Sequence, residues 1–140
     1  MKKILLFLLL VSLLLSACTS QEKSLQGTWT LTSYGPQGAT SPVVPGSRAS
    51  ITFQDDGTIS GSSGCNSFGG EYKVDGDQIT FSGLASTLMA CSDPLMTQEG
   101  TVFKVLDGTA SHKIDGDTLT ITKDGTALVF TTAEAGSYPK

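Results

Sequence analysis

Apolar and polar positions alternate along most of this chain, and the alternation predicts strands. Trp29-Thr30-Leu31-Thr32-Ser33-Tyr34 runs with a period of two, as a half-buried strand does. Ile51-Thr52-Phe53 and Thr58-Ile59-Ser60 flank Asp55-Asp56-Gly57, a hairpin signal because glycine accepts positive φ without penalty. Three more Asp-Gly turns follow, at Asp75-Gly76, Asp115-Gly116 and Asp124-Gly125. Two hairpins repeat each other: Tyr72 to Phe81 matches His112 to Ile121, with apolar residues alternating with Lys and Thr around Asp-Gly-Asp. Two copies are a shared hairpin design and not a solenoid, which needs at least three. Asp-Gly-Asp reads as turn chemistry and not as a calcium loop, which spreads its ligands over about 12 positions.

Gly35 to Ser47, with Pro36, Pro42, Pro45 and three glycines, reads as a long irregular loop. One helix is expected between Asp93, as the cap, with Pro94 at the first position, and Gly108 at the stop. Leu95, Val102 and Leu106 lie close to one face of it, with Met96 and Phe103 beside them. Ala127 to Phe130 reads as a closing strand. The pattern predicts a mainly β (α+β) fold: a small curved antiparallel sheet or partly open β-barrel with one inserted helix.

The chain begins differently. Met1-Lys2-Lys3 is a short basic stretch and Ile4 to Leu15 an almost unbroken apolar run, followed by Ser16, Ala17 and Cys18. A run of 12 residues falls short of the ~20 a helix needs to cross a bilayer, so residues 1–17 read as a signal peptide. Leu15-Ser16-Ala17-Cys18 resembles the bacterial lipobox, in which cleavage precedes a lipidated cysteine. Thr19, where an Asp would signal inner-membrane retention, points to the outer membrane facing the periplasm in a Gram-negative cell. Residues 18–24 then read as a lipidated Cys18 with a flexible tether, 25–132 as the domain and 133–140 as a disordered tail.

Composition narrows the function. The 140 residues carry 9 basic and 13 acidic side chains, a formal charge of −4. Such a body has no electrostatic hold on nucleic acid. No G-x-x-x-x-G-K and no strand-borne G-x-G-x-x-G is present, which leaves no nucleotide motif. With Cys18 assigned to lipid, Cys65 and Cys91 remain, and an even pair in an exported compartment favours a disulfide. Two buried thiols or one reactive cysteine are the alternatives. A single His, His112, cannot complete a four-ligand zinc site with them, so no metal or cofactor is expected.

Several motifs then converge. Gly27 and Trp29 stand in the opening Leu25-x-Gly27-Thr28-Trp29-x-Leu31. Gly61-Ser62-Ser63-Gly64-Cys65-Asn66 runs on to Gly70 and Tyr72. Thr87-Leu88-Met89-Ala90-Cys91 precedes the helix, which carries Glu99. This arrangement resembles the META domain, also called the HslJ-like domain, over about Leu25 to Thr131. The resemblance implies a β-rich domain with a helix, often lipid-anchored, linked to heat shock and antibiotic tolerance, with no established reaction.

Read on their own chemistry, the glycines around Cys65 and Asn66 suit a tightly crossed, bulged strand end more than an anion site, since no basic residue is near. Asn66 is expected to satisfy local backbone groups or to adopt the left-handed conformation, and Trp29 to lie in the core. No nucleophile–base spacing is visible, so no catalytic residue is expected. The leading expectation is a monomeric envelope lipoprotein, held at the membrane through Cys18 and binding another envelope protein. The alternative is a carrier whose barrel holds an apolar ligand or lipid in a pocket lined by Phe53, Phe81, Ile79 or Val102.

Overall fold

The computed structural model describes residues 24–132; the apolar leader, Cys18, the tether up to Lys23 and the tail from Ala133 lie outside the described residues. Nine strands alternate with turns: β1 (Gly27–Pro36), β2 (Ser41–Pro42), β3 (Ser50–Phe53), β4 (Thr58–Ser62), β5 (Ser67–Asp75), β6 (Gln78–Ser86), β7 (Gly108–Asp115), β8 (Thr118–Lys123) and β9 (Thr126–Thr132). One helix, α1 (Asp93–Val105), is inserted between β6 and β7.

Neighbouring strands pair antiparallel in the order β2-β1-β3-β4-β5-β6-β7-β8-β9, and β1 also pairs with β9. That last pairing, from Trp29 opposite Thr132 to Pro36 opposite Thr126, closes an eight-stranded barrel, with β2 a short addition on β1. The sheet expected to be curved or partly open therefore closes on itself, although β6 and β7 pair only from Gln78–Phe81 to Gly108–Ser111. A register shift between Leu31 and Ser33 lets β1 serve β3 along its first half and β9 along its length.

Alternation in sequence becomes alternation in burial. Trp29 and Leu31 point inward while Thr28, Thr30 and Thr32 face solvent. The expected hairpins form: Tyr72 stands opposite Phe81 and His112 opposite Ile121, in equivalent positions of the two repeats. The predicted loop after Gly35 is shorter than expected. Strand β1 runs on to Pro36, and Ser41-Pro42 pair with Tyr34 and Ser33 as β2, because a proline is tolerated on a sheet edge.

The helix also departs from expectation in two details. Its N-cap is Ser92 and not Asp93, no side chain makes a cap hydrogen bond, and Pro94 sits in the first turn. Its buried residues are Gln98, Glu99, Val102 and Val105, followed by Leu106, whereas Leu95 is half-buried and Met96 exposed. Val102, Val105 and Leu106 join Leu31, Phe68 and Phe130 in one continuous core. The hairpin turns β3–β4, β5–β6 and β7–β8 lie together at one end of the barrel, with the chain's entry at Gly27. The β4–β5 loop, the segment leaving β6 and the helix occupy the other end.

Candidate functional site

Asn66 and Glu99, singled out in the sequence, meet Ser63 and Gln98 in one buried cluster at the helix end of the barrel. The buried polar side chains among the described residues are Ser63, Asn66, Gln98 and Glu99, and all four belong to it. Ser63 and Asn66 sit in the loop between β4 and β5; Gln98 and Glu99 sit one turn before Val102 on α1. Glu99 receives the loop. Its Oε2 accepts from the Ser63 hydroxyl at 2.5 Å and from the Asn66 backbone N–H at 3.1 Å, and its Oε1 accepts from Asn66 Nδ2 at 2.9 Å. Gln98 holds a second loop: Val44 N–H donates to its Oε1 at 2.8 Å, while its Nε2 donates to Ser47 Oγ at 3.0 Å and Ser63 O at 2.7 Å.

Asn66 reaches the opposite way as well. Its Oδ1 accepts from Met89 N–H at 2.7 Å and Thr87 Oγ1 at 2.8 Å, and its Nδ2 donates to Met89 O at 3.1 Å. Met89 N–H can only donate and its carbonyl only accept, so the amide has one allowed orientation. Asn66 thus satisfies backbone groups, as expected, and of the two conformations considered for it the left-handed one is not adopted. The Cys65–Cys91 disulfide, with Cα atoms 6.0 Å apart, ties the same two segments together. Every buried side-chain nitrogen and oxygen among the described residues has a partner. Buried polar groups with partners specify one arrangement, whereas one left without a partner costs about 1–3 kcal/mol.

The motif glycines serve close approach. A Cβ on Gly61 would stand 2.2 Å from Ser50 O and 2.7 Å from Phe68 Cζ. Gly64 has φ +103°, and a Cβ there would meet Gln98 Nε2 at 2.6 Å. Gly70 lies at the register shift of β5 against β6, and Gly27 opens β1. Trp29 is 1% exposed in the core, its indole N–H donating to Leu25 O at 2.8 Å. Tyr72 packs edge-on against Phe53, with ring centroids 5.0 Å apart, and its hydroxyl donates to Gln54 O. Thr87, Met89 and Ala90 are exposed on the segment that Asn66 holds.

Ser63 stood within the Gly61–Asn66 segment without a role of its own, and Gln98 was not expected at the site, because an isolated polar residue in a helix resembles a surface position. A usable signal was present: Gln98 and Glu99 precede Val102 by four and three residues, which puts them on the apolar stripe of the helix.

The barrel interior is filled. Phe53, Phe81, Ile79 and Val102, named above as pocket lining, are all core residues, and the gap bounded by Leu31, Phe68, Val102 and Phe130 has no room for a water molecule. A cavity of about 390 Å³ lies instead on the outer wall of β7 and β8, open to solvent and lined by Asp77, Ser111, His112, Lys113 and two threonines, with Gln37. There His112 Nδ1 lies 3.1 Å from the backbone oxygen of Asp77. No group of three or more His, Cys, Asp or Glu side chains among the described residues is placed to hold a metal ion.

Comparison with known proteins agrees with this geometry. The family model of the META domain matches residues 22–135. Heat shock protein HslJ of Escherichia coli is 32% identical over 142 residues, covering 96% of this chain and 98% of that protein. A protein solved by NMR is 29% identical with a TM-score of 0.66, covering 80% of this chain and 93% of its own. At the level of fold alone, a lipocalin-like protein from Bacteroides uniformis superposes with a TM-score of 0.53 at 22% identity, covering 78% of this chain and 98% of its own.

Proposed function

Because the chain belongs to the META domain family, we propose that it is a membrane-tethered, non-catalytic interaction module of the bacterial envelope contributing to stress or antibiotic tolerance. One observation carries this reading. Among the described residues the gap in the barrel core has no room for a water molecule, and Asn66 and the Cys65–Cys91 disulfide fix residues 87–91, of which 87–90 are exposed, to the barrel end. A constellation for catalysis keeps a reactive group free toward a substrate. Here both domain cysteines are joined and the Glu99 oxygens accept from Ser63 and Asn66. The apolar leader ending in Ser16-Ala17-Cys18 supports the tether, and two or three acyl chains hold a protein firmly where one would not. The stress role follows the Escherichia coli relative, which is named for heat shock.

Native mass spectrometry of the full chain, produced in a bacterial host and extracted in mild detergent, tests this. The expected species begins at Cys18, carries acyl chains and loses no small molecule on denaturation. An unprocessed or unacylated mass removes the tether, and a discrete apolar adduct restores the carrier reading.

A further inference from the structure

The described surface exposes four large apolar side chains, and three of them gather at the helix end. Leu88 is 94% exposed, Met89 58% and Met96 39%; Cys91 N–H, two residues beyond Met89, donates to Met96 Sδ. A single exposed leucine on a loose loop needs no explanation. This backbone is held. Thr87 N–H donates to Ser67 O at 3.0 Å, Met89 is gripped on both its N–H and its C=O by Asn66, and Cys91 is cross-linked to Cys65. Ordering a residue costs about 1–2 kcal/mol of backbone entropy. Folding has already ordered this tip, so a partner binding it need not.

Charge is unevenly placed: the helix end carries Asp93, Lys104, Asp107, Lys123 and Asp124, but the two segments that flank the tip carry none. Asp55, Asp56, Asp75, Asp77, Asp115 and Asp117 occupy the three turns at the end where β1 begins. At the helix end, neither Gly61 to Gly70 nor Ser82 to Ser92 contains a charged residue. The described chain begins at the end of the acidic turns, so on the tethered-module reading a bilayer contacts the tip only if the barrel inverts. A second copy is also a poor fit. The cavity on the β7–β8 wall is lined by polar and charged side chains and does not suit an apolar knob from another copy.

We infer that Leu88 and Met89 form a preorganised knob that docks into an uncharged, apolar pocket on a protein partner lying beyond the end of the barrel away from the membrane. This rests on the tethered-module reading and names the surface and partner chemistry for it.

The test places the photo-crosslinking residue benzoylphenylalanine at position 88 of the full lipidated chain in intact envelopes, and separately at Lys73 and Thr120 on the barrel wall. The expected result is one protein adduct at position 88, joined through an apolar peptide of the partner and absent at 73 and 120. Adding Met89→Asp to the position-88 probe lowers its yield about tenfold, because a carboxylate resists burial, with the melting temperature unchanged. Adducts at the wall alone overturn the knob and keep an interaction module; no adduct at any position overturns both. A lipid adduct assigns the tip to the bilayer, an adduct of two chains assigns it to a second copy, and either one overturns the inference.

Discussion

Asn66 and Glu99, 33 positions apart, share two hydrogen bonds, one from the Asn66 backbone and one from its side chain, and Ser63 adds a third to the same carboxyl group. Through this contact the helix fixes the β4–β5 loop, and the loop in turn fixes residues 87–89. The order of dependence is helix, loop, tip.

Glu99→Gln tests the contact with little change in shape. The amide supplies one acceptor oxygen where the carboxyl group supplied two, and its NH₂ faces the N–H groups or hydroxyl that the lost oxygen served. Leaving one buried donor without an acceptor costs about 1–3 kcal/mol, so thermal unfolding should shift down by several degrees. A melting temperature equal to wild type would show that the cluster does not contribute to stability.

The disulfide gives a second test. Cross-linking residues 26 positions apart contributes on the order of 3–4 kcal/mol in the chain-entropy description. Cys91→Ser should therefore melt roughly 10 °C lower in oxidising buffer, and reductant should lower the wild type toward the variant. Coincident melting curves of wild type and variant without reductant would contradict the bond.

Two glycines should respond oppositely to the same substitution. Gly61→Ala drives a methyl group against Ser50 O and Phe68, both in the packed wall, and is expected to destabilise by about 1–3 kcal/mol or more. Gly100 lies inside α1, where an added methyl group would meet nothing within 4 Å, so Gly100→Ala should stabilise by about 1 kcal/mol through helix propensity. Chemical denaturation of the two variants reads both signs, and a stable Gly61→Ala protein would remove the close-approach account of the motif.

The contrast shows what was legible in the sequence. Strand alternation and the Asp-Gly turns are local signals, and each predicted hairpin stands where they put it. Closure of the barrel depends on β1 meeting β9 across nearly a hundred residues, and no local pattern encodes that pairing. The motif residues around Cys65 and Asn66 were visible as a group, yet their receiving carboxylate was visible only as one residue in a helix. Its burial follows from the way α1 sits against the barrel mouth, which is set by Val102, Val105 and Leu106 together. Met96 misled because an apolar residue on a short helix at a barrel rim can face outward as readily as inward.

The acidic turns carry the last expectation, on pH. Asp56 Oδ1 accepts from the Thr58 hydroxyl at 2.6 Å and from the Thr58 backbone N–H at 2.9 Å. Both bonds favour the ionised form, the hydroxyl more, and hold the Asp56 carboxyl below its usual value of 3.8. A carboxyl group that is more acidic folded than unfolded adds stability above its unfolded pKa and loses it as pH falls through the folded one. The β3–β4 turn should thus be firmest above about pH 4 and loosen on acidification. Thr58→Val removes the stronger bond, so the Asp56 midpoint, read by carboxyl-carbon NMR titration, should rise toward 3.8 and the acid-side slope of stability should flatten. A midpoint unmoved by the substitution would show that the backbone N–H alone sets the turn.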